Sequence, residues 1–299
     1  MARRNVYIAL VSLFMLGGEG CAMPAVRTLA VGFFAALAAA AFAQDSAEEA
    51  AVSKRRLEFM ERTVRSLAVR SDQIADVARL KFAAAPLLRY SDPTRGMTEQ
   101  NVLVDATVWR LGEQGRPTSL VTLEIYRTSA DAAILAYEFA SLTESRFSLT
   151  GDTRAKIVWD AAGSALTVNK LDGAPDPAKS PAARLTQMRQ LSRRFAVQEL
   201  VKGEAIECRL MPAPIDRYQS AADEIVDGAL FAFANGTNPE LGIFLECGAK
   251  GWTYGTVRLS SAEIIVKLDG REIIRYEKVG DARLRGDYTS RTEPIELPK

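Results

Sequence analysis

The residues best suited to chemistry are four carboxylates, Asp105 and Glu124 in one stretch and Asp227 and Glu246 in another. Each stretch has two largely apolar runs around a polar turn, the pattern of an antiparallel hairpin. Val102–Leu111 and Ser119–Tyr126 flank residues 113–116. Ile225–Phe233 and Leu241–Cys247 flank residues 235–238. With turns of that length, Asp105 lies directly across from Glu124, and Asp227 across from Glu246. Two carboxyls about 5 Å apart suit the acid and nucleophile roles of retaining glycoside cleavage. They also offer oxygens to Ca²⁺, which takes about six or more. Like charges directly opposed on a sheet are destabilising, so a cation or a shared proton is needed beside each pair. Arg89 and Arg217, each in a Pro-x-x-Arg-Tyr run, are the natural counter-ions. A purely structural arginine–carboxylate cluster is the competing reading, and the one the residues favour.

The chain contains no histidine. That removes Ser-His-Asp and Cys-His catalysis, His-containing zinc sites and the two-His-one-carboxylate iron site. No metal or cofactor is expected. Arg89, Tyr90, Arg217, Tyr218, Trp252 and Tyr254 are the candidate ligand-binding residues. Exposed, the aromatics would line a groove for a sugar or a peptide; buried, they are core. Cys208 and Cys247 fall on predicted strands of the second stretch, either as buried thiols or as a disulfide.

The elements that must position these residues occur twice. Arg56, Leu57, Met60 and Arg65 recur as Arg184, Leu185, Met188 and Arg193. Pro86, Arg89 and Tyr90 recur as Pro214, Arg217 and Tyr218, and Val104, Asp105, Pro117 and Glu124 as Val226, Asp227, Pro239 and Glu246. Such self-similarity predicts architecture before any motif does. Each copy opens with a helix, its stripe Leu57, Met60, Val64, Leu67 in the first and Leu185, Met188, Leu191, Phe195 in the second. Ser180 and Pro181 suit the start of the second helix, and Gly203 its stop. Strands are expected at Ala78–Ala84 and Ala205–Met211, then the two hairpins, then Ala136–Leu142 and Thr253–Leu259. A further hairpin turns at Asp269-Gly270, matched in the first copy by Ile157–Trp159 with Ala165–Asn169. The expected fold is α+β: two tandem homologous units, each one helix plus an antiparallel β-meander sheet. They occupy residues 44–172 and 181–287, with a linker at 173–180 and a C-terminal tail at 288–299. Edge-to-edge and face-to-face packing of the sheets are both compatible with the pattern.

Residues 1–43 have the anatomy of a signal peptide. Arg27, the apolar run Leu29–Ala41 and the small-x-small Ala41-Phe42-Ala43 precede Gln44, with Met23 as a possible start. The apolar runs Val6–Leu16 and Leu29–Ala41 are both shorter than the ~20 residues of a membrane span, so no integral span is expected in the mature chain. The full chain carries a net charge of +1, which gives no footprint for nucleic acid. The runs Pro86-Leu-Leu-Arg-Tyr-Ser-Asp-Pro-Thr-Arg95, Val226–Phe233 and Val266-Lys-Leu-Asp-Gly-Arg-Glu272 resemble a set of uncharacterised secreted proteins of planctomycete-type bacteria. The resemblance implies export and carries no activity. Together these features point to an exported binding or interaction module, periplasmic or extracellular, with a cell-envelope or protein partner. A hydrolase using the paired carboxylates and a structural envelope component are the alternatives.

Overall fold

The computed structural model describes residues 47–92, 101–151, 157–280 and 285–298. The chain divides into two compact units, Met1–Val52 and Ser53–Lys299. Within the first, residues 47–52 are described, all helical. No described helix is long and apolar enough to cross a membrane. The predicted signal peptide lies outside the described residues.

The second unit is mostly β. Helix α1 runs over residues 47–66. It is followed by β1 (Ala68–Arg70), β2 (Leu88–Asp92), β3 (Val102–Leu111), β4 (Ser119–Arg127), β5 (Ala132–Ser141), β6 (Phe147–Thr150), β7 (Val158–Ala161) and β8 (Asn169–Lys170). Helix α2 (Pro181–Ser192) leads into β9 (Phe195–Val201), β10 (Glu204–Leu210), β11 (Asp216–Ser220), β12 (Ile225–Asn235), β13 (Asn238–Gly248) and β14 (Gly251–Arg258). The chain closes with β15 (Glu263–Leu268), β16 (Arg271–Tyr276), β17 (Arg285–Gly286) and β18 (Tyr288–Glu296). These form a five-stranded sheet, β18-β5-β4-β3-β2, a four-stranded sheet, β1-β6-β7-β17, and a nine-stranded sheet. The last is ordered β16-β15-β9-β10-β12-β13-β14-β8, with β11 paired to β12. All pairings are antiparallel except β17 with β7.

Side chains alternate between the faces of a strand, so each sheet divides its residues into two sets. On one face of the five-stranded sheet Trp109, Leu123 and Tyr137 pack with Met60 and Val64 of α1 and with Leu149 and Trp159 of the four-stranded sheet. In the nine-stranded sheet Phe231, Ile243 and Leu245 share a core with Met188 and Leu191 of α2. Val197, Ile264 and Val266 join the same core from the other end of the sheet, so the sheet curls around α2. The opposite faces of the two large sheets meet each other. Leu120 and Ala140 of the first pack with Leu230, Phe244 and Val257 of the second. The sheets therefore stack face to face along an apolar seam. Gly228 lies on that seam, where a Cβ would come within 2.6 Å of the Tyr218 ring.

Several expectations are corrected. Ala78–Ala84 is not a strand: Val77–Leu80 is a 3-10 turn started by the Asp76 side chain, and Phe82 makes an isolated bridge to Leu111. The second helix ends at Ser192, not at Gly203. Lys202 and Gly203, both at positive φ, form the β9–β10 turn. Phe195 thus starts a strand whose alternate residues Phe195 and Val197 face the core. Val158–Ala161 pairs with Phe147–Thr150 rather than with 165–169, and Asn169–Lys170 extends the other sheet beside β14. The expected tail at 288–299 is largely strand β18, which occupies the edge of β5 along Tyr288–Glu296. Its polar composition hides it, because backbone pairing to a waiting edge does not depend on side-chain hydropathy. Cys208 and Cys247 are both buried thiols, not joined in a disulfide. They sit on β10 and β13, with β12 between them. Asp269 and Gly270, at positive φ, make the predicted hairpin turn.

Candidate functional site

The four carboxylates lie in the two central hairpins, but not opposite each other. Asp105 pairs with Ile125, and Glu124 with Ala106. Asp227 pairs with Cys247, and Glu246 with Gly228. The cause is one extra residue in each hairpin. In the first hairpin the turn itself sets the shift, Leu111 pairing with Ser119 where a turn at 113–116 would pair it with Thr118, and a bulge between Leu103 and Asp105 restores the expected pairing only beyond the acids, at Leu103 and Tyr126. In the second hairpin Ala234 pairs with Pro239 as expected, and a bulge at Phe233/Ala234 shifts the rest. A one-residue slip transfers every side chain to the other face. Each Asp therefore faces its helix, while each Glu faces the seam.

On the helix side both aspartates are clamped by arginine. Arg89 donates from Nε and Nη2 to Asp105 at 2.9 and 2.5 Å, and its Nη2 also reaches the carbonyl and hydroxyl of Ser53 on α1. Arg217 donates to Asp227 at 3.0 and 2.8 Å and to the Pro181 carbonyl at the start of α2. Arg184 adds a third bond to Asp227 at 2.9 Å and caps the carbonyls of Ala178 and Lys179. The clamps tie the strand after the Pro-x-x-Arg-Tyr run, the hairpin and the helix into one assembly.

On the seam side the glutamates accept from tyrosines. The Tyr90 and Tyr126 hydroxyls each donate to Glu124 at 2.8 Å. Tyr218 donates to Glu246 at 2.5 Å, and Arg116 of the other sheet binds the same carboxylate at 2.8 and 2.6 Å. Arg110 crosses the seam as well, donating to Asp216 at 2.6 Å and to the carbonyls of Gly112 and Gly115. Burial, reinforced by the neighbouring glutamates, pushes the Tyr90, Tyr126 and Tyr218 hydroxyls well above their ordinary pKa, so they stay protonated donors. Burial also lifts Asp216, more than the Arg110 charge lowers it. Burial would depress Arg116, but its bonds to Glu246 outweigh that and hold it cationic. Glu138 of β5 is raised well above the carboxylate range. Burial is the main cause, followed by the charges of Glu124 and Glu240, against the weaker pull of Arg258 and the Ser261 N–H.

The aromatic candidates do not line a groove. Tyr90 and Tyr218 are buried against their glutamates, and Trp252 is buried in the α2 core. Tyr254 is half-buried, edge-on to Phe195 with ring centroids 5.3 Å apart. A cavity of about 570 Å³ does bring Arg217, Tyr218 and Asp227 together beneath the β3–β4 turn, beside Arg110, Gly115 and Pro181. Tyr218, Asp227 and the Nε and Nη2 of Arg217 are already spent on the bonds described. Among the described residues no cluster of three or more Asp, Glu or Cys suits a metal ion. A second cavity, about 480 Å³, lies on the four-stranded sheet and holds Arg70, Arg146 and Arg285. No motif marks these arginines. They come together only through strand pairing, and the alternation in 147–150 and 158–161 was the sole signal available.

Compared with known proteins, the chain matches no family model, no curated protein and no solved structure.

Proposed function

We propose that this chain is an exported binding or interaction module without a catalytic centre of its own, built from two related halves stacked along one seam. One observation carries the reading: each acidic candidate is held by its own structural donors, and Asp and Glu of a hairpin point to opposite faces of the sheet. Paired-carboxylate hydrolysis needs both groups on one side, flanking the same bond. The relatedness of the halves is supported by the repeated Arg–Asp and Tyr–Glu bonds at matched sequence positions, each beside a helix and a bulged hairpin. Export is supported by the sequence of residues 1–43.

The test separates fastening from chemistry. Glu246→Gln and Asp105→Asn are compared with the parent chain for thermal unfolding and for hydrolysis of a panel of neutral and acidic polysaccharides. A lowered melting temperature with no hydrolysis by any of the three proteins is the expected result. Hydrolysis by the parent that vanishes in a variant of unchanged melting temperature would replace this reading with the hydrolase.

A further inference from the structure

Several arginines of this protein are fasteners. Arg89, Arg110, Arg116, Arg184, Arg217 and Arg258 all donate to buried or half-buried acceptors of the chain itself. Arg70, Arg146 and Arg285 differ. Among the described residues their guanidinium groups make no hydrogen bond or ion pair, and all three border the cavity of about 480 Å³ on the four-stranded sheet.

Strand register sets their arrangement. Arg70 pairs with Ser148, Ser148 with Asp160, and Asp160 with Arg285. The four residues thus form one row across all four strands. The next row, Val69, Leu149 and Trp159, packs into the α1 core, so this row faces outward. Three strand spacings separate its ends, about 14 Å between the backbones of Arg70 and Arg285. Arg146 lies two residues before Ser148, at the rim. Its backbone is fixed there: the Ser71 hydroxyl donates to its carbonyl at 2.5 Å, and its N–H donates to the Gln73 side chain at 2.7 Å. Ser71 in turn accepts from the N–H groups of Gln73 and Ile74, closing the rim turn. The cleft therefore carries arginine at both ends, with Asp72 beside Arg70 at one rim and a hydroxyl and a carboxylate in the middle.

We propose that this row binds an acidic polysaccharide. Arg70 and Arg285, helped by Arg146, take carboxylate or sulfate groups at the two ends, while Ser148 and Asp160 accept hydrogen bonds from sugar hydroxyls between them. A single compact anion at the centre would meet the Asp160 charge, and a uniform polyanion would gain nothing from it. An alternation of acidic groups and hydroxyls fits the alternation of the row. This deepens the binding-module reading and rests on it, yet the two fail separately: loss of polysaccharide binding leaves the carboxylate clamps untouched, and hydrolysis would show itself as product.

The experiment measures binding of the full chain to polygalacturonate, dextran sulfate, neutral dextran, poly-glutamate and anionic phospholipid vesicles. The expected result is binding to one or both acidic polysaccharides and not to neutral dextran; polygalacturonate against dextran sulfate identifies the acidic group. Binding weakens as salt shortens the screening length from about 10 Å at 0.1 M to about 3 Å at 1 M. Arg70→Ala with Arg285→Ala weakens it by about tenfold or more, a difference of ~1.4 kcal/mol or above. Asp160→Asn also weakens it, because sugar hydroxyls lose an acceptor. Unchanged melting temperatures of these exposed variants confirm folding. Unaltered binding by the double arginine variant, no binding to either acidic polysaccharide, or tighter binding by Asp160→Asn would overturn the proposal. Stronger binding to poly-glutamate or to vesicles would overturn it in favour of an acidic peptide or a membrane surface.

Discussion

The two hairpins solve one problem with different amounts of charge. In the first, Asp105 is held by Arg89, whose side chain stays 30 % exposed, and Glu124 accepts from two tyrosines. In the second, Asp227 is held by Arg217 and by Arg184, which is 7 % exposed, and Glu246 accepts from a tyrosine and a bidentate arginine. The second hairpin has committed more buried charge to its joints. The first relies more on neutral donors. A buried ion pair adds little net stability when intact, but leaves an uncompensated charge when one partner is removed. The second hairpin should therefore be the more fragile of the two to single substitutions.

The largest effect is expected at the aspartates. Asp227→Ala leaves Arg184 and Arg217 facing each other at a site where the carboxylate was 1 % exposed. The loss should be about 3–5 kcal/mol. Asp105→Ala strands Arg89, which can turn toward solvent, so its loss should be smaller, ~1–2 kcal/mol after allowance for screening. Urea midpoints of the two variants measure the difference directly. Equal losses would mean that Arg184 contributes nothing and that the two clamps are energetically alike.

The seam gives the next contrast. Glu246→Gln removes the charge that binds Arg116 across the sheets, and should cost ~2–3 kcal/mol. Glu124→Gln keeps a carbonyl that accepts from a tyrosine hydroxyl, and should cost ~1 kcal/mol. The cross-sheet bond makes a further demand. Arg116→Met should remove most of the difference between Glu246→Gln and its background, a coupling that a double-mutant cycle reads. Additive losses would show that Arg116 and Glu246 do not act together.

The sequence made the hairpins, the helical stripes and the counter-ions legible because each is a local pattern or a repeated one. Arg89 and Arg217 were found as partners of Asp105 and Asp227 through their Pro-x-x-Arg-Tyr runs, and those bonds are present. Which face each acid takes was illegible, since a one-residue shift, made at the turn in the first hairpin and by a bulge in the second, reverses it while leaving composition unchanged. The apolar alternation gave little help: β4 and β13 are buried on both faces, so neither face stands out as polar. Strand β18 was missed because a strand completed by a distant edge carries no local signal. Tyr137, a member of the α1 core, donates to Glu293 on that strand, a contact made by residues far apart in the chain. The arginine row escaped for the same reason, as four unremarkable residues aligned only by register.

The smallest expected effect concerns pH, and it arises where the two large sheets touch. Glu138 of the five-stranded sheet faces Glu124 on its neighbouring strand and Glu240 on β13, with Arg258 and the Ser261 N–H opposing that repulsion. Its folded pKa is raised, mainly by burial and then by those two acids. The folded state therefore keeps a proton that the unfolded chain releases near about pH 4.3. Its contribution is present in full below that pH and is lost as pH climbs toward the raised folded value, by up to ~1.4 kcal/mol per unit. Glu138→Gln mimics the protonated form and cannot ionise. Between pH 5 and 8 the variant should lose less stability than the parent, with the curves diverging as pH rises. Parallel curves would mean that Glu138 ionises equally in both states, and that the seam tolerates its charge as readily as water does.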